Sequence, residues 1–231
     1  MSARILSVLR ALPMFSAISP DCCERLAQHA QIQHLEKGST LFLQGEKATA
    51  LRFVVSGWVK LYRVAPCGNE AIIRLMPRNR SVEEMAALKG ANHTVSAETV
   101  TESTILRVDA AVFRSLANSE ACVASAMIDA VVDHARVLTE DLEHMKVRSG
   151  VQRLALFLVR LAEETKGAAQ IRLPYEKHLI AGRLGMKPES LSRALGRLRD
   201  QGVSIRDNEV KIADVQALHA YAVEDPALAW V

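Results

Sequence analysis

The chain has 231 residues, of which 49% are hydrophobic and 24% are charged, and its formal net charge at neutral pH is +3. This composition provides enough apolar material for a buried core, and the length predicts two domains. No run of about 18 apolar residues occurs and charges interrupt the N-terminus, which excludes a membrane span and a secretory signal. We therefore expect a cytoplasmic protein with no membrane partner.

Short apolar runs alternate with turn residues in the first half of the chain, between about residues 32 and 108. Four of these runs cover residues 40–43, 51–55, 58–63 and 71–75. Evenly spaced short strands predict a β-sandwich or jelly roll, whose interior is either packed solid or able to hold a ligand. The chain has no Gly-x-Ser-x-Gly, no His-Glu-x-x-His and no phosphate-binding glycine loop, so we do not expect an enzyme.

The four cysteines, Cys22, Cys23, Cys67 and Cys122, lack Cys-x-x-Cys spacing. A structural disulfide framework is not expected in the reducing cytoplasm. Cys67 falls in a predicted turn, where we interpret it as an incidental thiol rather than a haem or redox ligand.

A heptad-like seam follows the predicted roll and is the clearest periodicity in the chain. Its apolar residues are separated alternately by three and four positions: Ile128, Val131, Ala135, Leu138, Leu142 and Met145. Such a narrow stripe suits a partner helix better than a broad core, so it predicts a parallel homodimer. The alternative is a helix packed onto its own β-domain. Gly150, just past the seam, is interpreted either as a hinge or as a plain helix stop.

The last third of the chain contains a helix-turn-helix pattern. Residues 175–184 predict a short helix that Gly185 ends in a left-handed cap, and Pro188 suits the first turn of a second helix over residues 188–199. Two alternating runs, residues 203–205 and 210–212, predict a small β-hairpin, or wing. One stripe of the second helix is apolar: Leu191, Ala194, Leu195 and Leu198.

The opposite face of the second helix carries side chains that read base edges. An arginine can fork onto guanine O6 and N7, a carboxylate accepts from cytosine N4, and a serine serves several base edges or a phosphate. Residues 171–206 contain eight Lys or Arg against three Asp or Glu, so basic charge is concentrated where phosphate attraction requires it. The candidate DNA-binding residues are Lys187, Glu189, Ser190, Ser192, Arg193 and Arg197.

These features predict an α+β fold in three parts. A sensor β-roll with N-terminal helices covers residues 1–119, a dimerisation helix covers 120–149, and a winged helix-turn-helix domain covers 150–231. Double-stranded DNA is the expected partner, because an aromatic content of 4% disfavours a stacking platform for single strands. A homodimer would hold two reading helices about one DNA turn apart, which predicts a palindromic site.

The order of roll, long helix and winged helix-turn-helix resembles the CRP/FNR family of bacterial transcription regulators over nearly the whole chain. The resemblance rests on residues 37–38, 44–46 and 55–62, and above all on Glu189-x-x-Ser192-Arg193. In FNR-like members this motif reads TTGAT/ATCAA half-sites, which implies that Glu189 meets cytosine, Arg193 guanine and Ser192 a thymine or its neighbour. Membership also implies RNA polymerase as a partner and a small-molecule or gas effector.

Departures from the family pattern exclude two effectors. Cyclic AMP binders hold the nucleotide phosphate with an arginine, but this chain has Thr94 or Val95 at that place, so cyclic AMP is not expected. Adjacent Cys22 and Cys23 cannot replace the cysteine spacing that holds the iron–sulfur cluster of FNR, and we do not expect that cluster either.

The DNR/NnrR branch of the family is similar to this chain in Glu83-x-Met85, Asn92 and Ser96-Ala97, and in residues 179–184 and 188–193 of the DNA module. Members of that branch regulate denitrification genes, respond to nitric oxide and are thought to use haem. Haem needs an axial donor, and His93 in the segment predicted to face the ligand is the candidate, the alternative being an ordinary loop histidine. Glu84 and Ser96 are the other candidate ligand-binding residues. His178, in the first helix of the DNA module, is assigned to capping or phosphate contact.

Two rival functions stay open at this point. A thiol-based redox regulator of the same fold would respond through its cysteines, and cysteine replacement would test it. A ligand-binding module would act by protein contact without DNA, and binding to a TTGAT/ATCAA duplex would test that.

Overall fold

The structure is a computed structural model that describes residues 2–64, 68, 70–162, 165 and 167–223. The chain divides into two compact units, Met1–Arg136 and Val137–Val231. No helix among the described residues is long and apolar enough to cross a membrane. Cys67 lies outside the described residues, so its interpretation stays a prediction.

Helices and strands are numbered in chain order over the described residues. The helices are α1 (Ser2–Ala11), α2 (Pro20–Gln28), α3 (Glu84–Lys89), α4 (Ala110–Ser119), α5 (Ala121–Val147), α6 (Gly150–Leu161), α7 (Lys177–Arg183), α8 (Pro188–Arg197) and α9 (Val215–Val223). The strands are β1 (Ala30–Leu35), β2 (Thr40–Phe42), β3 (Ala50–Ser56), β4 (Val59–Val64), β5 (Glu70–Met76), β6 (Ser96–Thr99), β7 (Ser103–Asp109), β8 (Ala169–Arg172), β9 (Val203–Arg206) and β10 (Glu209–Ile212).

Two antiparallel sheets form the roll in the first unit, with strand orders β1-β7-β3 and β2-β6-β4-β5. The expected roll is therefore confirmed, and β2 to β5 lie on the four apolar runs seen in the sequence. Apolar side chains alternate inward along the strands because successive residues point to opposite faces of a sheet. One core of the roll consists of Phe42, Val54, Val59, Leu61, Met76, Val82, Val95, Ala97 and Ile105.

The turn between β3 and β4 requires glycine. Gly57 has a φ of +85°, which side-chain-bearing residues rarely adopt. A Cβ atom there would lie 2.3 Å from Ser103 Oγ and 2.4 Å from the carbonyl oxygen of Glu102. The approach of this turn to the start of β7 is thus possible only without a side chain.

A second core in the same unit joins the N-terminal helices to the roll. Phe15 contacts Phe53 and Phe113 edge to face, with ring centroids 5.0 and 6.3 Å apart. Val123 and Ala126, in the first two turns of α5, are buried in this cluster. The start of α5 is therefore fixed to the sensor unit by apolar packing.

The second unit begins with a capped helix. The Ser149 hydroxyl accepts a hydrogen bond from the backbone N–H of Gln152, and the Gln152 side-chain oxygen accepts one from the backbone N–H of Ser149. This reciprocal pair is a capping box. Gly150 therefore starts α6, and the interpretation as a helix stop is wrong because α5 already ends at Val147.

The helix-turn-helix and the wing follow α6. Gly185 ends the first helix with a φ of +63°, as expected, and Pro188 opens the second. The α-helical part of the second helix stops at Arg197, two residues before the predicted end, and continues as a 3-10 turn over Leu198–Gln201. The wing is a three-stranded sheet in the order β8-β10-β9, in which β9 and β10 are the predicted hairpin.

Candidate DNA interface and effector site

The apolar stripe of α8 holds the helix against its own domain. Leu191, Ala194 and Leu198 are buried, and Leu195 is half-buried at the edge of the stripe. The helices packed against α8 are α6 and α7. The buried face of α8 follows the predicted spacing. The packing of that face therefore determines which side chains of α8 point to solvent.

The outward face of α8 presents polar side chains to solvent. Glu189, Ser192 and Arg193 are exposed, as are Lys187 and Arg197. The sixth candidate, Ser190, is half-buried. This face carries hydrogen-bonding groups of the types that pair with base edges and phosphates.

Few contacts within the protein occupy these side chains. Arg193 Nη2 donates to Ser190 Oγ at 3.3 Å, and Ser192 Oγ donates to the Pro188 carbonyl at 3.2 Å. Within the described part of the chain Glu189 and Arg193 form no ion pair with each other. Their charges are therefore not neutralised along the helix, and exposed hydrogen bonds of this kind exchange readily for a ligand.

Buried contacts fix the turn that precedes α8. Arg153 Nε donates to the Leu184 carbonyl at 3.0 Å, and Arg183 Nη1 donates to the Tyr175 hydroxyl at 3.1 Å. Burial raises the pKa of Tyr175, against the opposing effect of Arg183. His178 is exposed on α7, with Nδ1 3.3 Å from a Glu176 carboxylate oxygen. A neutral, buried phenol and two arginines thus hold the first helix in position under the second.

The heptad seam lies on the surface of α5. Ile128 is 58% exposed, Leu138 51%, Leu142 54% and Met145 56%. Ala135 is also exposed, whereas Val131 is half-buried. The seam does not face the sensor core, since Val123 and Ala126 occupy the buried side of the helix.

His93, the candidate haem ligand in the segment before β6, contacts the carboxylate of Glu83. His93 is 3% exposed, and its ring stacks on Phe42 with centroids 3.6 Å apart. Its Nδ1 is hydrogen-bonded to Glu83, whose other oxygen accepts from the backbone N–H and the hydroxyl of Thr94 at 2.6 Å. Among the described residues His93 Nε2 has no hydrogen-bond partner, although it is buried. Glu83 therefore orients one ring nitrogen of His93, and the other ring nitrogen is left without a partner among the described residues.

Glu83 is a functional candidate that the ligand-site prediction missed. Its backbone is left-handed, with a φ of +50°, which is uncommon for a residue other than glycine and often marks a site where surroundings dictate the conformation. Burial acts to raise the pKa of Glu83, but hydrogen bonds from His93 and Thr94 outweigh it and hold the pKa below its ordinary value. Nothing in the sequence signals this strained backbone.

The other two candidate ligand residues have separate partners. Ser96 Oγ accepts from the backbone N–H of Gln44 at 3.0 Å, which ties β6 to the turn after β2. Glu84 is 1% exposed, and its Oε1 lies 2.7 Å from His134 Nδ1 on α5. The structure therefore places His93, Glu84 and Ser96 in three distinct hydrogen-bonding groups rather than around one shared partner.

The contact between Glu84 and His134 joins the effector segment, defined as residues 83–96 with the candidate ligand residues, to α5. Arg74 Nη1, on β5, lies 3.4 Å from the other ring nitrogen of His134, and Arg80 Nη1 pairs with Asp133 at 2.8 Å on the same turn of α5. Fifty positions separate Glu84 from His134 in the chain. The hydrogen bond therefore connects the start of α3 directly to α5 within the sensor unit.

Replacing Glu84 by glutamine is expected to lower stability at neutral pH by about 1.5–3 kcal/mol, the contribution of a buried hydrogen bond to a charged group. Burial acts to raise the pKa of Glu84, but the hydrogen bond from His134 outweighs it and the pKa lies below its ordinary 4.5. A depressed folded-state pKa stabilises the fold above pH 4.5 and loses that effect as pH falls through the folded value. Urea unfolding at pH 7 and below pH 4.5 measures both.

The difference between wild type and Glu84→Gln should therefore shrink in acid. Glu24→Gln, at an exposed carboxyl on α2, serves as the control and should leave stability nearly unchanged. An equal difference between the proteins at both pH values would contradict the assigned role of the carboxylate.

Both parts of the chain match known families. Residues 32–120 match the cyclic nucleotide-binding domain, and residues 152–221 match the Crp-like helix-turn-helix domain. The CRP-like cAMP-activated global transcriptional regulator of Mycobacterium tuberculosis is 24% identical over 216 residues, which cover 91% of this chain and 96% of that protein.

Solved structures agree over nearly the full length. A candidate cyclic nucleotide binding protein from Ruegeria pomeroyi is 38% identical, with a TM-score of 0.72, and the match covers 97% of this chain and all of that one. DNR from Pseudomonas aeruginosa is 27% identical with a TM-score of 0.51, and the match covers 93% of this chain and 96% of that one. Roll, long helix and winged helix-turn-helix occur here in one chain in the order that the family predicts. The protein therefore belongs to the CRP/FNR family of DNA-binding transcriptional regulators and is not an enzyme.

Proposed function

We propose that the protein binds a palindromic TTGAT/ATCAA-type site as a homodimer, in the cytoplasm, and reads each half-site through Glu189, Ser192 and Arg193. The observation that carries this proposal is the exposed polar face of α8 above a buried stripe. Glu189 would accept from cytosine N4, and Arg193 would fork onto guanine. Lys187 and Arg197 extend the face toward the phosphates, which position the helix without specifying sequence.

Fluorescence anisotropy with the palindromic duplex and a scrambled duplex of equal length tests the site. We expect the palindrome to bind about 10³-fold or more tightly at physiological salt, the lower end of the usual ratio between specific and non-specific sites. Equal affinity for the two duplexes would contradict the assigned site, and no binding to either would favour a module that acts by protein contact.

The homodimer is proposed on the exposure of the α5 seam. Apolar side chains that are half-exposed at alternate spacings of three and four residues suit a second copy of the same helix. A two-fold axis along α5 would give both copies the same surface, as isologous dimers require. It would also match the two-fold symmetry of a palindromic site.

The effector is proposed to be nitric oxide, sensed through haem that His93 ligates. The residues fit this group, because a metal-binding histidine donates its second ring N–H to a carboxylate, and Glu83 is that carboxylate. His93 Nε2 is buried without a partner among the described residues and is the nitrogen that would bind the haem iron. Haem iron supplies the coordination position at which nitric oxide binds.

The proposed response runs from the effector segment to α5. Glu83 directly precedes helix α3 in the chain and His93 follows it, and Glu84 at the first position of α3 is hydrogen-bonded to His134. A ligand that favours one arrangement of this segment shifts the population of dimers that can bind DNA. The hydrogen bond between Glu84 and His134 is then the link that communicates the change.

Haem reconstitution of wild type and His93→Gln tests the sensor. We expect wild type to show a Soret band that shifts with nitric oxide and a change of DNA affinity between the two states. His93→Gln should lose the band shift, because glutamine removes the imidazole nitrogen. His34→Gln, at an exposed histidine on β1, is the matched control and should behave as wild type.

An unchanged Soret band in His93→Gln would overturn the ligand assignment. Cyclic AMP belongs in the same experiment, because Arg63 Nε lies 3.0 Å from the Thr94 carbonyl and brings one cation to this segment. If cyclic AMP raises the affinity for DNA in the absence of haem, the effector is a cyclic nucleotide and the haem proposal is wrong.

A further inference from the structure

Two arginines lie directly opposite each other on neighbouring strands of the roll. Arg52 on β3 and Arg107 on β7 are partners in the antiparallel register. Opposed residues in such a pair have Cβ atoms about 4.5–5.5 Å apart, so the backbone holds the two positive side chains close together. Like charges in this arrangement are destabilising. An anion bound between the two guanidinium groups would remove that repulsion.

Both arginines lie on the sheet face that covers the core of the roll. Val54 and Ile105, two positions along the same strands, belong to that core, and residues two apart on a strand share a face. The guanidinium carbon of Arg52 lies 5.0 Å from the centre of the Phe42 ring, which belongs to β2 in the other sheet. Arg52 and Arg107 are half-buried. The pair is therefore partly screened from water, next to the apolar interior.

No carboxylate within the described part of the chain forms an ion pair with either arginine. Arg52 Nη1 donates one long hydrogen bond, of 3.5 Å, to the Ala50 carbonyl. Glu46 attracts Arg52 at longer range, but its carboxylate accepts from the backbone N–H of Leu43 at 3.1 Å. Burial lowers the pKa of Arg52, and the charge of Arg107 acts in the same direction. Arginine keeps its proton in proteins, so both groups remain cations.

A third polar side chain extends the row of the two arginines. Gln31 on β1 is the register partner of Arg107 on the side away from β3. Partners in register share a face, so Gln31, Arg107 and Arg52 lie side by side across three strands. Gln31 is exposed, and its amide supplies further N–H donors. These three side chains together present hydrogen-bond donors and two positive charges without a carboxylate among them.

We propose that Arg52 and Arg107 form an oxyanion-binding site in the sensor roll, which takes a small molecule carrying a carboxylate or phosphate group. Guanidinium groups bind both kinds of group through paired N–H donors, and such bonds are stronger where water is partly excluded. Gln31 donates to the same anion from the edge of the sheet. The site does not include His93, and it does not depend on haem.

Phe42 connects this site to the effector segment. Its ring lies against the Arg52 guanidinium and stacks on the ring of His93. An anion held by Arg52 is therefore separated from His93 by one aromatic side chain. This position suits a second effector better than an ion that serves stability alone.

Thermal unfolding of the haem-free, full-length protein tests the site, with inorganic phosphate and succinate as probes. Each probe is compared with sodium chloride at equal ionic strength, because salt alone screens the repulsion between the arginines. A ligand that binds only the folded state raises the unfolding midpoint as its concentration increases. We expect at least one probe to raise the midpoint above that in chloride. A response to phosphate alone identifies a phosphate group, and a response to succinate identifies a carboxylate.

Isothermal titration calorimetry with the active probe assigns the binding to the two arginines. Arg52→Gln and Arg107→Gln should each weaken binding by about 10- to 100-fold, the effect of losing a charge-assisted hydrogen bond. Arg78→Gln removes an exposed arginine from the turn after β5, and this matched control should bind as wild type does.

Arg107→Glu places the missing negative charge on the protein itself. Opposite charges attract when they lie directly across a strand pair, so this variant should unfold at a higher temperature than wild type without any anion. It should also respond to neither probe. Because the substitution relieves repulsion, its result stands even if one of the glutamine variants fails to fold.

Three results would overturn the proposal. The first is a wild-type midpoint that neither probe raises above its value in chloride. The second is an unchanged affinity in both glutamine variants, because the anion would then bind elsewhere, for example on the basic face of α8. The third is a lower unfolding midpoint for Arg107→Glu than for wild type, since the two arginines would then not repel each other. None of these measurements uses haem, so the assignment of His93 stands or fails separately.

Discussion

Replacing Leu138 and Leu142 together by glutamate is expected to weaken binding to the palindromic duplex by about 10²- to 10⁴-fold, the range by which linked sites exceed single ones. Both leucines are more than half exposed on α5 and belong to the heptad seam. In a homodimer each glutamate would face its own copy, so four carboxylates would meet in an apolar seam. Burying unpaired like charges is strongly unfavourable, and the dimer should dissociate.

Sedimentation velocity gives the oligomeric state, and anisotropy with a full palindrome and with one half-site gives the affinities. The variant should sediment as a monomer and keep the weak half-site affinity of wild type, since α8 is untouched. Val147→Glu puts the same side chain at an exposed apolar position outside the seam, and it should remain dimeric. A dimeric double variant with unchanged DNA affinity would show that α5 is not the dimer helix.

Local patterns made the DNA-reading unit predictable from sequence. Pro188 at the start of α8, Gly185 in the left-handed cap of α7 and the buried stripe at Leu191 all depend on neighbours within one or two helical turns. Such spacings reflect the helical period directly. The small error lies at the end of α8, where the last turn tightens into a 3-10 helix, as often happens at helix ends.

The contacts of the sensor unit were not predictable in this way. His134 stands among charged residues of a heptad helix, and nothing in its sequence neighbourhood announces a bond to Glu84. A hydrophobic period of two or of 3.6 residues predicts which face of a strand or helix is buried. Contacts between residues far apart in the chain depend instead on how the chain folds back on itself.

The unpartnered state of His93 Nε2 among the described residues could not be predicted from local sequence either. The sequence singled out His93 by its place in the segment predicted to face the ligand, yet its chemistry depends on Glu83, which orients one ring nitrogen, and on Phe42, which covers the ring. Glu83 has a left-handed backbone, and its carboxylate is hydrogen-bonded to both His93 and Thr94. Strain of this kind is stored where tertiary structure over-determines a residue, and it leaves no periodic signal.

Replacing Arg193 by alanine is expected to weaken binding to the palindrome by about 1–3 kcal/mol per half-site, or roughly 5- to 150-fold, because a bidentate arginine–guanine pair is worth that much. The loss should be confined to the guanine position, so duplexes with another base there should lose little. Arg193→Lys should lose most of the same discrimination, since an ammonium group cannot form the fork. The hydrogen bond from Arg193 to Ser190 is exposed, so its loss in the variant should not affect folding.

Arg199→Ala is the control that separates base recognition by α8 from general electrostatic attraction to the DNA phosphates. Arg199 is exposed in the 3-10 turn beyond α8, outside the Glu189-x-x-Ser192-Arg193 motif, and we assign it to a phosphate contact. Its removal should weaken binding to all duplexes alike and reduce the slope of log affinity against log salt by about 1. If Arg193→Ala behaves in the same way, with uniform loss on every sequence, Arg193 acts as a phosphate contact. The specificity of α8 must then come from Glu189 and Ser192 alone, because these are the remaining exposed side chains of the motif on that face.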